Sequence, residues 1–191
     1  MNDDRIQVDR MRYTKNTASS RLALLAILFN VLYFVSIYKL DLYEPRITSD
    51  TTGMFDVYYT GMLGLSIILN LVFMLMAFLA SEGVKNYQKR FSRVMIELAI
   101  VQICRIFIFP LILHETFLFT KENLQMEENV RVAFLNYLAS RRVTFMQDGQ
   151  FIRVCLYLIT SAVCLFVGAV INIRKSNALA AHIENLESMQ A

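Results

Sequence analysis

The chain has 191 residues, of which 56% are hydrophobic and 18% are charged, with a formal net charge of +3. Soluble domains have about 25% charged residues, so this composition argues against a soluble enzyme or binding domain. The basic residues fall mostly beside apolar runs, so the charge pattern does not indicate nucleic-acid binding.

Four long apolar runs dominate the sequence, at residues 21–38, 58–81, 94–113 and 151–173. Each is long enough to cross a hydrocarbon layer about 30 Å thick at about 1.5 Å per residue of α-helix. We predict an all-α integral membrane protein with four transmembrane helices in an antiparallel bundle, which form one domain over residues 21–173. We expect the first run to be retained, because it is longer than a signal-peptide core and no small-x-small cleavage site follows it.

The basic residues predict an orientation. Eleven lie in the N-terminal segment 1–20, at the start of the first run, in the second connection and in the C-terminal tail, against six in the first and third connections. Lys and Arg near helix ends stay preferentially in the cytoplasm. We therefore predict an N-in/C-in protein of the plasma (inner) membrane. Tyrosines near the outer ends are expected to form an aromatic belt: Tyr33, Tyr38, Tyr58, Tyr59 and Tyr157.

Two segments outside the runs are predicted to be helical. In the long outer connection, residues 114–150, apolar residues recur at helical spacing over residues 123–139. We interpret this stretch as an amphipathic helix on the outer leaflet or over the bundle; the alternative is a cap that recognises a partner or ligand. The C-terminal tail, residues 174–191, repeats apolar residues at Leu179, Ile183 and Leu186 and is expected to be a cytoplasmic helix.

One ionisable residue, Arg105, lies close to the centre of an apolar run. An ionised group at that depth is costly and usually faces the interior of the bundle. Each of the other runs carries a hydrogen-bonding residue within about two helical turns of the same depth. We predict an intramembrane polar layer of Arg105, Gln102, Asn30, Asn70, Thr160 and Ser161.

The acidic residue nearest to Arg105 inside an apolar run is Glu97, which makes it the candidate charge partner. The two residues are about 12 Å apart along one helix, so a direct pair requires both side chains to bend toward each other. Helix faces of mostly small or polar residues indicate close helix packing. These faces are Ser66, Asn70, Phe73, Ala77 and Ser81 in the second run, and Ser161, Cys164, Gly168 and Asn172 in the fourth.

Three interpretations of the polar layer remain open. Structural packing comes first, because polar side chains hold membrane helices together. The others are a conducting or substrate-binding layer and a face that meets an acidic residue of another subunit.

The sequence offers no catalytic, metal or cofactor motif. It has no HExxH, GxSxG, CxxC or glycine-rich phosphate loop, and its two histidines fall on opposite predicted sides of the membrane. We therefore expect a non-enzymatic multi-pass protein with no cofactor, an accessory or scaffolding subunit of a larger membrane assembly. Its expected partners are the lipid bilayer and either other membrane-protein subunits or further copies of itself. The alternative is a small oligomeric channel or transporter built around Arg105.

Overall fold

A computed structural model of the protein describes residues 15–38, 53–112, 114, 146 and 148–188. They form four long helices: α1 (Thr17–Tyr38), α2 (Gly53–Lys85), α3 (Lys89–Ile108) and α4 (Asp148–Ser188). The described residues contain no β-strand. The predicted all-helical architecture with four long apolar helices is confirmed.

Each helix overlaps a stretch that is long and apolar enough to cross a membrane: Thr17–Ile37, Gly64–Lys85, Lys89–Ile112 and Asp148–Asn185. Large apolar side chains cover the outside, with Leu71 64% exposed, Phe107 63% and Ile152 66%. Polar side chains such as Gln102 and Ser161 are instead fully buried. An apolar exterior around a polar interior is the distribution expected where lipid replaces water as the solvent.

The helices pack in a closed ring. α1 contacts α2 and α4, and α3 contacts the same two helices. Small residues line these contacts, with Ala26, Ala77 and Ala169 fully buried, so the helix backbones approach closely. Around them lie the larger side chains of Phe73, Met95, Leu98 and Leu165.

A second apolar cluster fills the space between the helices at the other end of the bundle. It joins the end of α1 to the start of α4 and to the residue that follows α3. Its buried members are Tyr33, Ile37, Phe109, Met146, Val154 and Leu158.

The connection between α2 and α3 is a tight turn of three residues. The amide of Tyr87 donates to the carbonyl of Val84 at 3.1 Å, and the amide of Gln88 donates to the carbonyl of Gly83 at 3.3 Å. These two bonds form a Schellman motif, which needs a left-handed residue after the helix. Tyr87 takes that conformation with φ 59° although it is not glycine. Its carbonyl accepts a bond of 2.7 Å from the Ser176 hydroxyl of α4, which stabilises the turn.

Two helix ends differ from the predicted runs. α3 ends at Ile108, and Phe109 leaves helical geometry at φ −124° and ψ −56°. The reason is Pro110, which disfavours the helical conformation in the residue before it. α4 continues without interruption past residue 173 to Ser188. The predicted outer helix over residues 123–139 and the first fourteen residues lie outside the described part of the chain.

Replacement of Gly83 by alanine tests the packing beside this turn. A Cβ at Gly83 overlaps the ring of Phe91, whereas a Cβ at Gly64 has open space around it. We expect Gly83→Ala to lower the free energy of unfolding by about 1–3 kcal/mol through overpacking. The control Gly64→Ala should leave it unchanged or raise it by up to about 1 kcal/mol through helix propensity. Thermal denaturation in mild detergent measures both, and equal stability of the two variants contradicts the packing described.

Candidate functional site

The candidate site is built around Arg105, which lies on the inner face of α3 and is 3% exposed. Its guanidinium group is buried between α1, α2 and α3. Nη1 donates to Asn30 Oδ1 at 2.7 Å and to Gln102 Oε1 at 2.7 Å, and Nη2 donates to Asn70 Oδ1 at 2.6 Å. Charge-assisted bonds of this length are about twice as strong as neutral ones. Three amide oxygens thus take over part of the solvation that water would give the charge.

Tyr33 of α1 provides a fourth contact. Its ring centroid is 4.6 Å from the central guanidinium carbon of Arg105, within the distance of a cation–π interaction. Tyr33 is 1% exposed, and such a contact is worth about 2 kcal/mol or more when it is desolvated. Its hydroxyl is within hydrogen-bonding reach of Ser66 in α2. The prediction that Tyr33 belongs to an aromatic belt is therefore wrong: it lies inside the bundle, where its ring faces the charge.

Gln102 extends the network to α4. Its amide nitrogen donates to Ser161 Oγ at 2.9 Å and to Asn30 Oδ1 at 3.3 Å. The Ser161 hydroxyl in turn donates to the Ala26 carbonyl of α1 at 2.9 Å. This bond uses a carbonyl lone pair that the helix leaves available, since each carbonyl oxygen accepts two bonds. All four helices are therefore linked through one set of hydrogen bonds.

The two asparagines that contact Arg105 differ in how completely their amides are bonded. The Asn70 nitrogen donates to the Ser66 carbonyl one turn earlier at 2.9 Å, which leaves its oxygen directed at Arg105. The Asn30 oxygen accepts from both Arg105 and Gln102. The Asn30 nitrogen is buried and has no hydrogen-bond partner among the described residues. Rotation of the Asn30 amide by half a turn would not give this nitrogen a partner. Its two hydrogens would then face Arg105 Nη1 and Gln102 Nε2, which are both donors.

Of the predicted layer, the structure brings together Arg105, Gln102, Asn30, Asn70 and Ser161. Thr160 is half-buried and takes no part in this set of bonds in the described part of the chain. Glu97 lies elsewhere: its side chain is exposed on the outside of α3, about 80° around the helix from Arg105. Among the described residues, three amide oxygens and a ring face contact the guanidinium, and Glu97 does not.

A second polar cluster joins the start of α1 to the α2–α3 turn and to α4. Most of its members were not predicted from the sequence. Asn172 accepts a bond of 2.9 Å from Asn16 and donates to Ser92 Oγ at 2.8 Å. The Ser19 hydroxyl donates to the Gly168 carbonyl at 2.7 Å. Ser20 and Ser81 share a hydrogen bond of 2.9 Å. Asn172, Gly168 and Ser81 lay on the predicted small-residue faces, whereas Asn16, Ser19, Ser20 and Ser92 flank the runs and gave no signal of burial.

A third polar contact lies at the opposite end of the bundle, at the start of α4. The His114 ring is 2.9 Å from Asp148 Oδ1 and stacks on Phe151 with 4.3 Å between the ring centroids. Asp148 is the first residue of α4, so its carboxylate also faces the positive end of that helix dipole. This contact ties the segment after Pro110 to the start of α4.

Among the described residues, the members of the site are one cation, three amides, a hydroxyl and a phenol ring. These groups can hold and orient a charge, and they include no nucleophile–base pair. Within the described residues, no three His, Cys, Asp or Glu side chains come together as metal ligands. No protein-family model, no curated protein and no solved structure matches this chain.

Substitution of Asn30 in two directions tests the geometry around Arg105. Asn30→Asp keeps the oxygen that faces the guanidinium, removes the donor without a partner and adds a negative charge, so thermal stability should rise. Asn30→Leu removes the acceptor from Arg105 and Gln102 and should lower the free energy of unfolding by about 1–3 kcal/mol. Thermal denaturation in mild detergent measures both variants, with the outward Leu71→Ala as control. Asp and Leu variants of equal stability would show that Asn30 does not contact the charge.

Proposed function

We propose that this chain is a non-enzymatic multi-pass membrane protein whose four helices cross the bilayer as an antiparallel bundle. Both termini lie in the cytoplasm in this proposal. The protein acts as an accessory or scaffolding subunit of a larger membrane assembly. It is not a catalyst, and its polar layer positions the helices that present its outer surface to partners.

The proposal rests on one observation: the buried polar groups form hydrogen bonds with other helices of the bundle. Arg105, Gln102 and Ser161 each bond another helix, and the site around them is enclosed by protein. Interhelical hydrogen bonds in membranes contribute about 0.6–1.7 kcal/mol each. A network that joins four helices suits a rigid frame, whereas catalysis requires polar groups that reach a substrate.

The antiparallel arrangement is supported by the pairing of helix ends. The start of α1 meets the end of α2 through Ser20 and Ser81, and it meets the later part of α4 through Asn16 and Asn172. The positive-inside bias of the sequence supports the cytoplasmic side for that end.

The C-terminal part of α4 is the element best suited to a partner outside the bilayer. At about 1.5 Å per residue, the 41 residues of α4 extend about 60 Å, twice the thickness of the hydrocarbon layer. Leu179 and Ile183 are half-buried on one side of this extension, and Ala180 and Ala181 are exposed on another. A short apolar seam of this kind fits a helical segment of another subunit.

A small oligomeric channel or transporter for anions is the second candidate. It is favoured by the Asn30 nitrogen, a buried donor without a described partner that lies in the same layer as the Arg105 cation. Cationic layers exclude cations and admit anions. Chloride and phosphate efflux from liposomes containing the purified protein, against protein-free liposomes, tests this candidate. Efflux abolished by Arg105→Leu favours it, and efflux equal to that of empty liposomes rules against it.

The proposed topology predicts the location of four reporter fusions. Reporters active on one side of the membrane, joined at residues 45, 86, 130 and the C-terminus, should read outside, inside, outside and inside. The physical reason is that each helix long enough to span reverses the side of the chain. A cytoplasmic signal at residue 130 contradicts the crossing of α3 or α4.

The subunit role predicts recovery of other chains. Extraction from native membranes in mild detergent, followed by affinity capture and mass spectrometry, should yield at least one further membrane protein in fixed ratio. Leu179→Ser with Ile183→Ser should lower that recovery at unchanged expression, because the apolar seam is lost. The matched control is Ala180→Ser with Ala181→Ser on the exposed side. Recovery of this chain alone contradicts the role.

A further inference from the structure

The outward face of α3 differs from a simple lipid-facing surface. Five exposed residues recur on it at spacings of four and three: Arg93, Glu97, Ile100, Cys104 and Phe107. Ile100 is 58% exposed and Phe107 63%. This spacing aligns residues along one side of a helix, as in a helix–helix seam. We call these five residues the α3 stripe.

The position of Glu97 in the stripe is unexpected for a residue that faces lipid. It lies about 12 Å along α3 from Lys89 and about 6 Å beyond Arg93. Ionisable side chains at membrane depth usually face the bundle interior or pair with an opposite charge. Glu97 is exposed, and it forms no ion pair or hydrogen bond with any side chain that the structure describes. The outer surface of α3 therefore carries a carboxylate that the described bundle does not satisfy.

Arg93 stands one helical turn before Glu97 on the same stripe and is also exposed. In the described structure these two side chains are not paired with each other. A cation and an anion one turn apart form a surface that complements a second copy of itself. When two such helices lie parallel, the cation of each is one turn from the anion of the other. An interface related by a two-fold axis has this property, since each contact occurs twice.

We propose that the α3 stripe is a homodimer interface in the membrane. Two copies in the same orientation place their α3 helices side by side, and Arg93 of each copy pairs with Glu97 of the other. Ile100 and Phe107 pack across the axis, with Cys104 between them. The inference rests on the proposed crossing of the membrane by α3. It goes beyond the proposed function by assigning an additional partner, a second copy of this chain, and the face that binds it.

Cys104 gives a direct test because it belongs to the stripe, whereas Cys155 is half-buried and Cys164 is buried. Native membranes are treated with copper phenanthroline and dissolved oxygen. Two facing thiols lose two protons and two electrons to oxygen and form a disulfide. We expect a dimer on non-reducing gels that Cys104→Ser abolishes and that Cys155→Ser and Cys164→Ser leave intact. Absence of a Cys104-dependent dimer overturns the proposal, as does a cross-linked product with the mass of a different partner.

Charge reversal tests the pairing itself. Glu97→Arg brings like charges together and should reduce the cross-linked fraction about tenfold. Arg93→Glu combined with Glu97→Arg restores the pairing in the opposite sense and should recover at least half of the wild-type fraction. A reporter at residue 86 checks that topology is retained in both variants. Cross-linking unaffected by Glu97→Arg, or not recovered in the double variant, overturns the proposed pairing.

Alkaline extraction of the same membranes separates the two possible failures. A chain removed from the membrane by alkali contradicts the membrane-spanning function and the dimer with it. A chain that resists alkali but gives no Cys104-dependent dimer contradicts the dimer alone.

Discussion

The charge of Arg105 is the constraint on which the rest of the bundle depends. Arginine keeps its charge in proteins, so a buried guanidinium must be solvated by other groups of the protein. Here Asn30, Asn70 and Gln102 direct their oxygens at it, and Tyr33 presents its ring face. Removal of one such group from a buried charge is strongly destabilising. The charge therefore fixes the rotation of α1, α2 and α3 about their axes, because a turn of one residue, about 100°, removes an acceptor.

The second polar cluster bonds the helices together at a different height along the bundle from Arg105. Asn16 and Asn30 are about 21 Å apart along α1, with the buried alanines Ala23 and Ala26 between them. Asn172 and Ser161 define the same two levels on α4. One polar contact allows two helices to pivot about it, whereas two contacts at different heights fix both their rotation and their crossing. Close alanine packing between the levels is then maintained without large interdigitating side chains.

The sequence predicted the four helices well because apolar runs of spanning length have few alternative structures in a chain of this size. It predicted most members of the Arg105 layer for a related reason: depth along a helix can be counted, and polar residues at one depth are few. The direction in which a side chain points around the helix axis was harder to predict. For this reason Glu97 was the candidate partner of Arg105, although it faces outward. Tyr33 was misplaced because tyrosine also suits the membrane interface, and nothing in the local sequence distinguishes the two settings.

The second cluster illustrates a further limit. Asn16, Ser19 and Ser92 fall at the flanks of the apolar runs, where polar residues ordinarily meet water and lipid head groups. Their burial depends on the Schellman turn at Tyr87, which brings the start of α3 and the end of α2 against α4. A tertiary arrangement of this kind leaves no mark on the hydrophobic pattern of a single segment.

The unbroken course of α4 has a mechanical consequence. Between Ser161 and Ser188 the helix contains no hinge, since its backbone bonds continue over about 40 Å. The direction of the helix axis at its C-terminal end is set by the contacts of Ser161, Asn172 and Ser176 with the rest of the bundle. A small tilt of α4 at the Arg105 layer is magnified at Ser188 in proportion to that distance. The position of the C-terminal end of α4 therefore depends on how the four helices pack around Arg105.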